Sequence, residues 1–206
     1  MGFNADAVVH FRPPFQYESE KKTLLSNQIR QLIGVKGVSI HADAPASQGI
    51  NTRIFNFKGK KETEDHEFLV KGADTAYLNL YDITLLAGRN LLHADSTREY
   101  LINETALKQL GFKHPQEALG KNLIEDKTEY PIVGVVKDFH SRSLHEPIRP
   151  LVLAISPLGQ RRELSLKLAT QGKGTDSFKA TMEQVEQSWK AIYPGEKFEY
   201  TFVDQD

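Results

Sequence analysis

Lys137, Asp138, His140, Arg142, His145 and Glu146 stand within ten residues of one another. Imidazoles beside carboxylates can trade protons near neutral pH or ligate a metal ion. The spacing His-x4-His does not fit a helical zinc motif, and no His-Glu-x-x-His occurs. A solvated loop in which Asp138 caps a turn and the histidines lie at the surface explains the same residues and is preferred. The rest of the sequence adds little chemistry. It has no cysteine, so disulfides, thiolate metal sites and a cysteine nucleophile are excluded. No Gly-x4-Gly-Lys-Ser/Thr loop is present to cradle a nucleotide's phosphates.

The cluster must be delivered by what precedes and follows it. Ile132 to Val136 is an apolar, β-branched run too short for a helix, and it reads as a buried strand. Gly134 inside it predicts a bulge or the close approach of another backbone. Pro147 and Pro150 fix an extended path on the far side. The expectation is a stiff strand that carries a charged loop to one end of a sheet.

The full chain of 206 residues is long enough for one large core or two small ones. Its 26 basic and 27 acidic residues nearly cancel, so nothing attracts a polyanion globally, and no nucleic-acid partner is expected. Lys21-Lys22 and Arg161-Arg162 read as solvated ends of separate elements. No apolar run approaches the ~20 residues that span a bilayer, and the N-terminus has no signal-peptide pattern.

Ala7 to Phe11 reads as a strand. A helix capped by Ser19 and running to about Ile33 follows, then a strand from Val35 to Ile40. His10 reads as an edge or core-rim residue. Residues 41–51 read as a loop and a domain crossing. Strands are expected at Arg53–Phe57, Glu67–Ala73, Glu99–Ile102 and Tyr130–Val136. Asp74 caps a short helical turn, Leu85–Arg89 closes into a turn, and Asn103 caps a short helix through Leu110. Leu151–Ile155 is an apolar strand. Leu164, Leu166 and Leu168 alternate with polar residues, which predicts a strand with one buried face. Phe178, Met182, Val185, Trp189 and Ile192 form the strongest helical stripe, and a strand over Phe198–Phe202 closes the chain. Both ends thus read strand-helix-strand. Together they suit an α+β fold with a ferredoxin-like layer of two β-α-β units and a β-rich insertion.

GVVKDFHSRSLHEPIRPLVL, with LLAGRNL (Leu85 to Leu91), INETALKQLGF (Ile102 to Phe112) and ALGK (Ala118 to Lys121) upstream, resembles the extracytoplasmic domain of MacB/FtsX-type ABC transporter permeases, especially versions common in Bacteroidetes-like bacteria. The resemblance covers nearly the whole chain. It implies a porter-like subdomain over 1–44 and 150–206 and a sabre-like insertion over 45–149. It implies a non-catalytic periplasmic domain, cut from between two membrane helices, with Met1 not a native start. No cofactor or metal is expected. The domain would couple ATP-driven helix motion to an extracytoplasmic substrate or partner. Expected partners are a cytoplasmic ATP-binding subunit, a second permease copy or paralogue, and a periplasmic or outer-membrane protein. Lys137, Asp138, His140, Arg142, His145 and Glu146, with the small-residue loop 42–51, are the candidate contacts. Asp138→Ala and His140→Ala are then expected to leave folding nearly intact while altering the response to a partner. The alternatives are a stand-alone metal-dependent or acid-base hydrolase using Asp138, His140, His145 and Glu146, and a soluble ligand-binding or scaffold domain.

Overall fold

A computed structural model describes residues 7–14, 19–45, 51–58, 63–140, 146–157, 160–169 and 174–203. Its elements run β1 (Ala7–Phe11), α1 (Ser19–Arg30), β2 (Val35–His41), β3 (Thr52–Lys58), β4 (Thr63–Ala73), α2 (Tyr77–Leu80), β5 (Leu85–Gly88), β6 (Tyr100–Asn103), α3 (Glu104–Gln109), α4 (Pro115–Ala118), β7 (Asn122–Glu125), β8 (Thr128–Val136), β9 (Leu151–Ile155), β10 (Glu163–Leu168), α5 (Gly174–Ile192) and β11 (Thr201–Phe202).

The two ends of the chain share a four-stranded antiparallel sheet in the order β11-β1-β10-β2. Each β-α-β unit contributes one central and one edge strand, the split arrangement expected from the pattern. Val9, Phe11, Val38, Ile40, Leu164, Leu166 and Leu168 point to one face. Leu25 and Ile29 of α1 and Met182, Val185 and Trp189 of α5 cover it. Trp189 meets Phe11 edge-on at 5.7 Å between ring centroids, and its indole N–H donates to the Glu196 carbonyl at 3.1 Å. Each such buried side chain stabilises the fold by about 1.5–3 kcal/mol. α1 stops at Arg30, three residues before the expected end at Ile33. The chain tightens there through Leu32 N–H to Ile29 O and turns at Gly34 (φ +96°), leaving Ile33 82 % exposed. The closing strand is shorter than expected, because Phe198 packs on Phe11 and Trp189 before β11 pairs with β1.

The middle of the chain forms a second sheet, β5-β8-β6-β9-β4-β3-β7, in which β7 also pairs with the first half of β8. That extra pairing closes β8, β6, β9, β4, β3 and β7 into a ring, with β5 added outside. Phe55, Phe68, Tyr100, Ile102, Leu123, Ile132 and Val152 fill it. Phe55 stacks on Phe68 at 5.6 Å and meets Tyr100 edge-on at 5.4 Å. Ala106, Leu107, Leu110 and Ala118 of the α3–α4 region join the same core.

Three expectations change here. β9 does not belong with the ends of the chain, as the boundary at 150 required. It lies between β4 and β6 in the second sheet, where its wholly apolar run is buried on both faces. The chain therefore returns to the first sheet after Ile155. Leu85–Gly88 is a strand on the outer side of β8 rather than a turn. And β10 is buried on both faces, because the middle of the chain covers its polar side.

Gly134 behaves as its position predicted. It opposes Gly88, and the register slips beside it between Tyr100 and Leu101. A Cβ on Gly134 would lie 2.5 Å from the Arg89 carbonyl, and one on Gly88 would lie 2.2 Å from the Val133 carbonyl. The two backbones touch because neither residue carries a side chain.

Candidate functional site

The charged loop leaves the end of β8 as expected. Its entry foot is fastened first. Lys137 N–H donates to Thr84 O at 2.8 Å, and the Lys137 side chain is exposed. Asp138 accepts from Thr105 N–H at 3.0 Å and Thr105 Oγ1 at 2.8 Å, while its own N–H donates to Glu104 Oε2 at 3.0 Å. The exit foot uses the same helix start. Asn103, 1 % exposed, caps α3 by accepting from Ala106 N–H at 3.0 Å and also accepts from Leu151 N–H at 2.9 Å. Its amide donates to Arg149 O at 3.0 Å. Both feet of the loop are thus pinned to one turn of helix. His140 is exposed, Glu146 is half-buried, and Arg142 and His145 lie outside the described residues. With both Asp138 oxygens engaged by Thr105, the expectation that Asp138→Ala leaves folding nearly intact no longer holds. That side chain fastens the loop, and Lys137 and His140 are left as exposed candidates among the described residues. Among the described residues no three His, Asp or Glu side chains gather in a way that could hold a metal ion.

The other polar concentration was not foreseen. It lies where the second sheet covers the polar face of the first. Strand pairing sets His10, Ser165 and Ser39 side by side, and His41 beside Glu163. From the covering segment, Asp74 accepts from Ser39 Oγ at 2.7 Å and Ile40 N–H at 2.8 Å. Tyr81 OH lies 2.8 Å from Ser165 Oγ and 3.0 Å from His41 Nε2, and that nitrogen is 2.9 Å from Ser165 Oγ. Tyr77 OH donates to Asp43 O at 3.0 Å, and Lys71 Nζ to Ala44 O at 2.8 Å. Backbone bonds run Ala42 N–H to Gly72 O and Ser156 N–H to Ala73 O. Of the loop 42–51, residues 42–45 belong to this junction and 46–50 lie outside the described residues.

Ser165, His41 and Glu163 have the residue types of an acyl-transfer triad. Their surroundings rule against that chemistry in this conformation. Ser165 and His41 are wholly buried, so no substrate reaches them. Burial pushes the His41 pKa down to about 3, which leaves a poor base. His41 Nδ1 stands 3.9 Å from Glu163 Oε2, too far for the orienting bond such a triad needs. Glu163 is instead engaged by Arg12, at 2.9 Å from Nε and 2.5 Å from Nη2, and by Ala44 N–H at 2.9 Å. Burial raises the Glu163 pKa, but the bond from Arg12, its positive charge and the Ala44 N–H outweigh burial and leave the carboxyl below its usual value. The group is a joint, not a reaction centre. One faint signal for it is that Ser39, His41, Glu163 and Ser165 alternate with apolar residues, a pattern shared by any solvent-facing side of a sheet.

The last geometric fact concerns the ends of the first sheet. Val203 N–H donates to Val8 O at 2.9 Å, so the start of β1 and the end of β11 lie side by side. No helix among the described residues is long and apolar enough to cross a membrane.

Comparison with known proteins accords with this architecture. The periplasmic region of MacB from Actinobacillus actinomycetemcomitans superposes with a TM-score of 0.59 at 14 % identity, covering 99 % of this chain and 90 % of that one. The extracellular domain of the noncanonic ABC-type transporter YknZ from Gram-positive bacteria gives 0.59 at 16 % identity, covering 96 % of this chain and all of that one. No curated protein matches the chain. Residues 3–188 match the family described as the MacB-like periplasmic core domain. The chain therefore belongs to that family, an extracytoplasmic domain of MacB-like ABC transporter permeases.

Proposed function

We propose that the domain works as a non-catalytic coupler. Membrane helices flanking it would drive it as ATP is used by a cytoplasmic subunit, and it would pass that motion to an extracytoplasmic substrate or partner. A second permease copy or paralogue would complete the transporter. The observation that carries the proposal is the Val203–Val8 hydrogen bond. Two helices joined to β1 and β11 would enter side by side, and their relative displacement would act on one sheet. The buried polar junction supports the reading, because it ties the second sheet to the first and lets a push at the strand ends reach the charged loop. The two sheets would then correspond to the porter-like and sabre-like subdomains, with the division at residues 42–45 and 156–162.

The test uses the full permease in membranes with its ATP-binding subunit. A flexible eight-residue Gly-Ser linker is placed after Val203. A coupler loses transport or partner release while the domain stays folded. Undiminished activity would show that a tethered binding module suffices, and the coupling reading would fall.

A further inference from the structure

Exposed apolar side chains scattered singly over a domain mean little. Two of them here lie together at one end of the first sheet. Ala7, Leu168 and Val35 pair across β1, β10 and β2 at that end, and Val203 meets Val8 beside them. Ile33 stands two residues before Val35 and is 82 % exposed. Its turn is fastened to the neighbouring elements. Thr181 Oγ1 of α5 donates to Ile33 O at 3.2 Å, Ala169 N–H donates to Gly34 O at 2.9 Å, and a Cβ on Gly34 would lie 2.8 Å from Thr181 Oγ1. Phe178, one turn earlier on α5, stacks on Phe202 at 5.6 Å. The first turns of α5 therefore hold Ile33 on one side and Phe202 on the other. Along the closing segment, exposure rises toward the strand end. Phe198 is half-buried, Tyr200 is 38 % exposed and Phe202 is 56 % exposed. Water alone gives no reason for that order, because each exposed ring forgoes burial.

We propose that this end of the domain rests on the lipid bilayer, with Ile33 and Phe202 seated at the boundary between headgroups and acyl chains. The inference rests on the coupling reading in one respect, that membrane helices continue from β1 and β11. Helices attached there bring the bilayer to the end of the sheet that carries Ile33 and Phe202. Tyr200 suits the same layer, since its ring is apolar and its tip polar, and tyrosines concentrate at membrane–water interfaces. Two or three side chains are too few to hold a protein on a bilayer by themselves. Their work is to set the tilt of a domain that its helices already tether. The far end of α1 stays in water: Glu20, exposed in its first turn, lies about 15 Å along the helix from Arg30, with Ile33 beyond.

The test uses cysteine labelling, since the chain has no cysteine of its own. The full permease, with any cysteine outside this domain replaced, carries Ile33→Cys, Phe202→Cys or Glu20→Cys. Each variant is labelled with the environment-sensitive dye NBD and reconstituted in phosphatidylcholine vesicles with and without doxyl-labelled phosphatidylcholine. Ile33→Cys and Phe202→Cys are expected to give blue-shifted emission and about twofold or more the doxyl quenching of Glu20→Cys. Ile33→Cys, at the more exposed position, decides the matter where Phe202→Cys disturbs the packing on Phe178. Equal quenching at Ile33 and Glu20 overturns the inference. So does a blue-shifted label at Ile33 that the lipid quencher does not reach, because protein would then cover that end. Flotation with the vesicles separates the two readings. A permease that does not float lacks the membrane attachment, and both fall. One that floats, and loses transport when the Gly-Ser linker is inserted, keeps the coupling reading even with Ile33 unquenched.

Discussion

A glycine in a strand is usually a weakness, and here two of them make a contact possible. Gly134→Ala would put a methyl group 2.5 Å from the Arg89 carbonyl and 2.7 Å from Leu101 Cδ2. One obstacle is backbone, so relief requires β5 to move. The expected loss is about 1–3 kcal/mol, read from denaturant unfolding. A second prediction at this scale concerns acid. His41 carries a folded pKa of about 3, below its ordinary 6.5, so the unfolded chain binds the proton more readily. Its stability contribution is complete above pH 6.5 and is lost as pH falls toward 3, with a limiting slope of about 1.4 kcal/mol per pH unit. Glu163, with its pKa below 4.5, contributes above that value and loses its contribution as pH falls through its folded pKa, so the signs agree. His41→Gln should flatten the fall in stability between pH 6 and 4. An unchanged slope in that variant would place the acid sensitivity elsewhere.

Among the elements, α3 holds more than its six residues suggest. Its cap Asn103 also binds the backbone on the return side of the charged loop, and Thr105 holds Asp138 on the outgoing side. Asn103→Ala removes a helix cap and leaves buried Leu151 N–H without its acceptor. A loss of about 2–3 kcal/mol is expected in thermal unfolding, against about 1–2 for Asp138→Ala. His140→Ala, at an exposed position, should leave stability unchanged. The cap was legible in sequence, because Asn before Glu at a helix start has one main physical meaning. So were the layer of two β-α-β units and the close approach at Gly134. The second task of Asn103 was not legible, since it depends on β9 passing 48 residues later in the chain. The membership of β9 was missed for a related reason. A five-residue apolar run announces burial but not which sheet buries it. The alternation in β10 announces one buried face and no more, because the pattern is identical whether water or another layer lies against the polar side.

For the whole molecule, the junction decides whether the two sheets behave as one body. Asp74 joins the covering segment to Ser39 and Ile40, and Asp74→Ala would leave the buried Ile40 N–H without its acceptor. Calorimetry of the wild type should show one cooperative transition. Asp74→Ala should separate it into two, because the cores of the two sheets remain intact while their joint costs about 1–3 kcal/mol more to keep closed. A single transition, merely shifted downward, would mean that the sheets are coupled through other contacts.

The same closeness of strand ends occurs twice. Val203 meets Val8 where the first sheet opens, and Arg162 N–H meets His41 O at 2.9 Å where the second sheet departs from it. Each layer is therefore entered and left at neighbouring points, like a bead on a hairpin, with the ring of strands strung inside the open sheet. Such nesting makes the molecule modular to engineer. The ring could be removed and residues 41 and 162 rejoined by a short turn, or the whole domain grafted into a surface hairpin of an unrelated host, with little demand on the scaffold left behind.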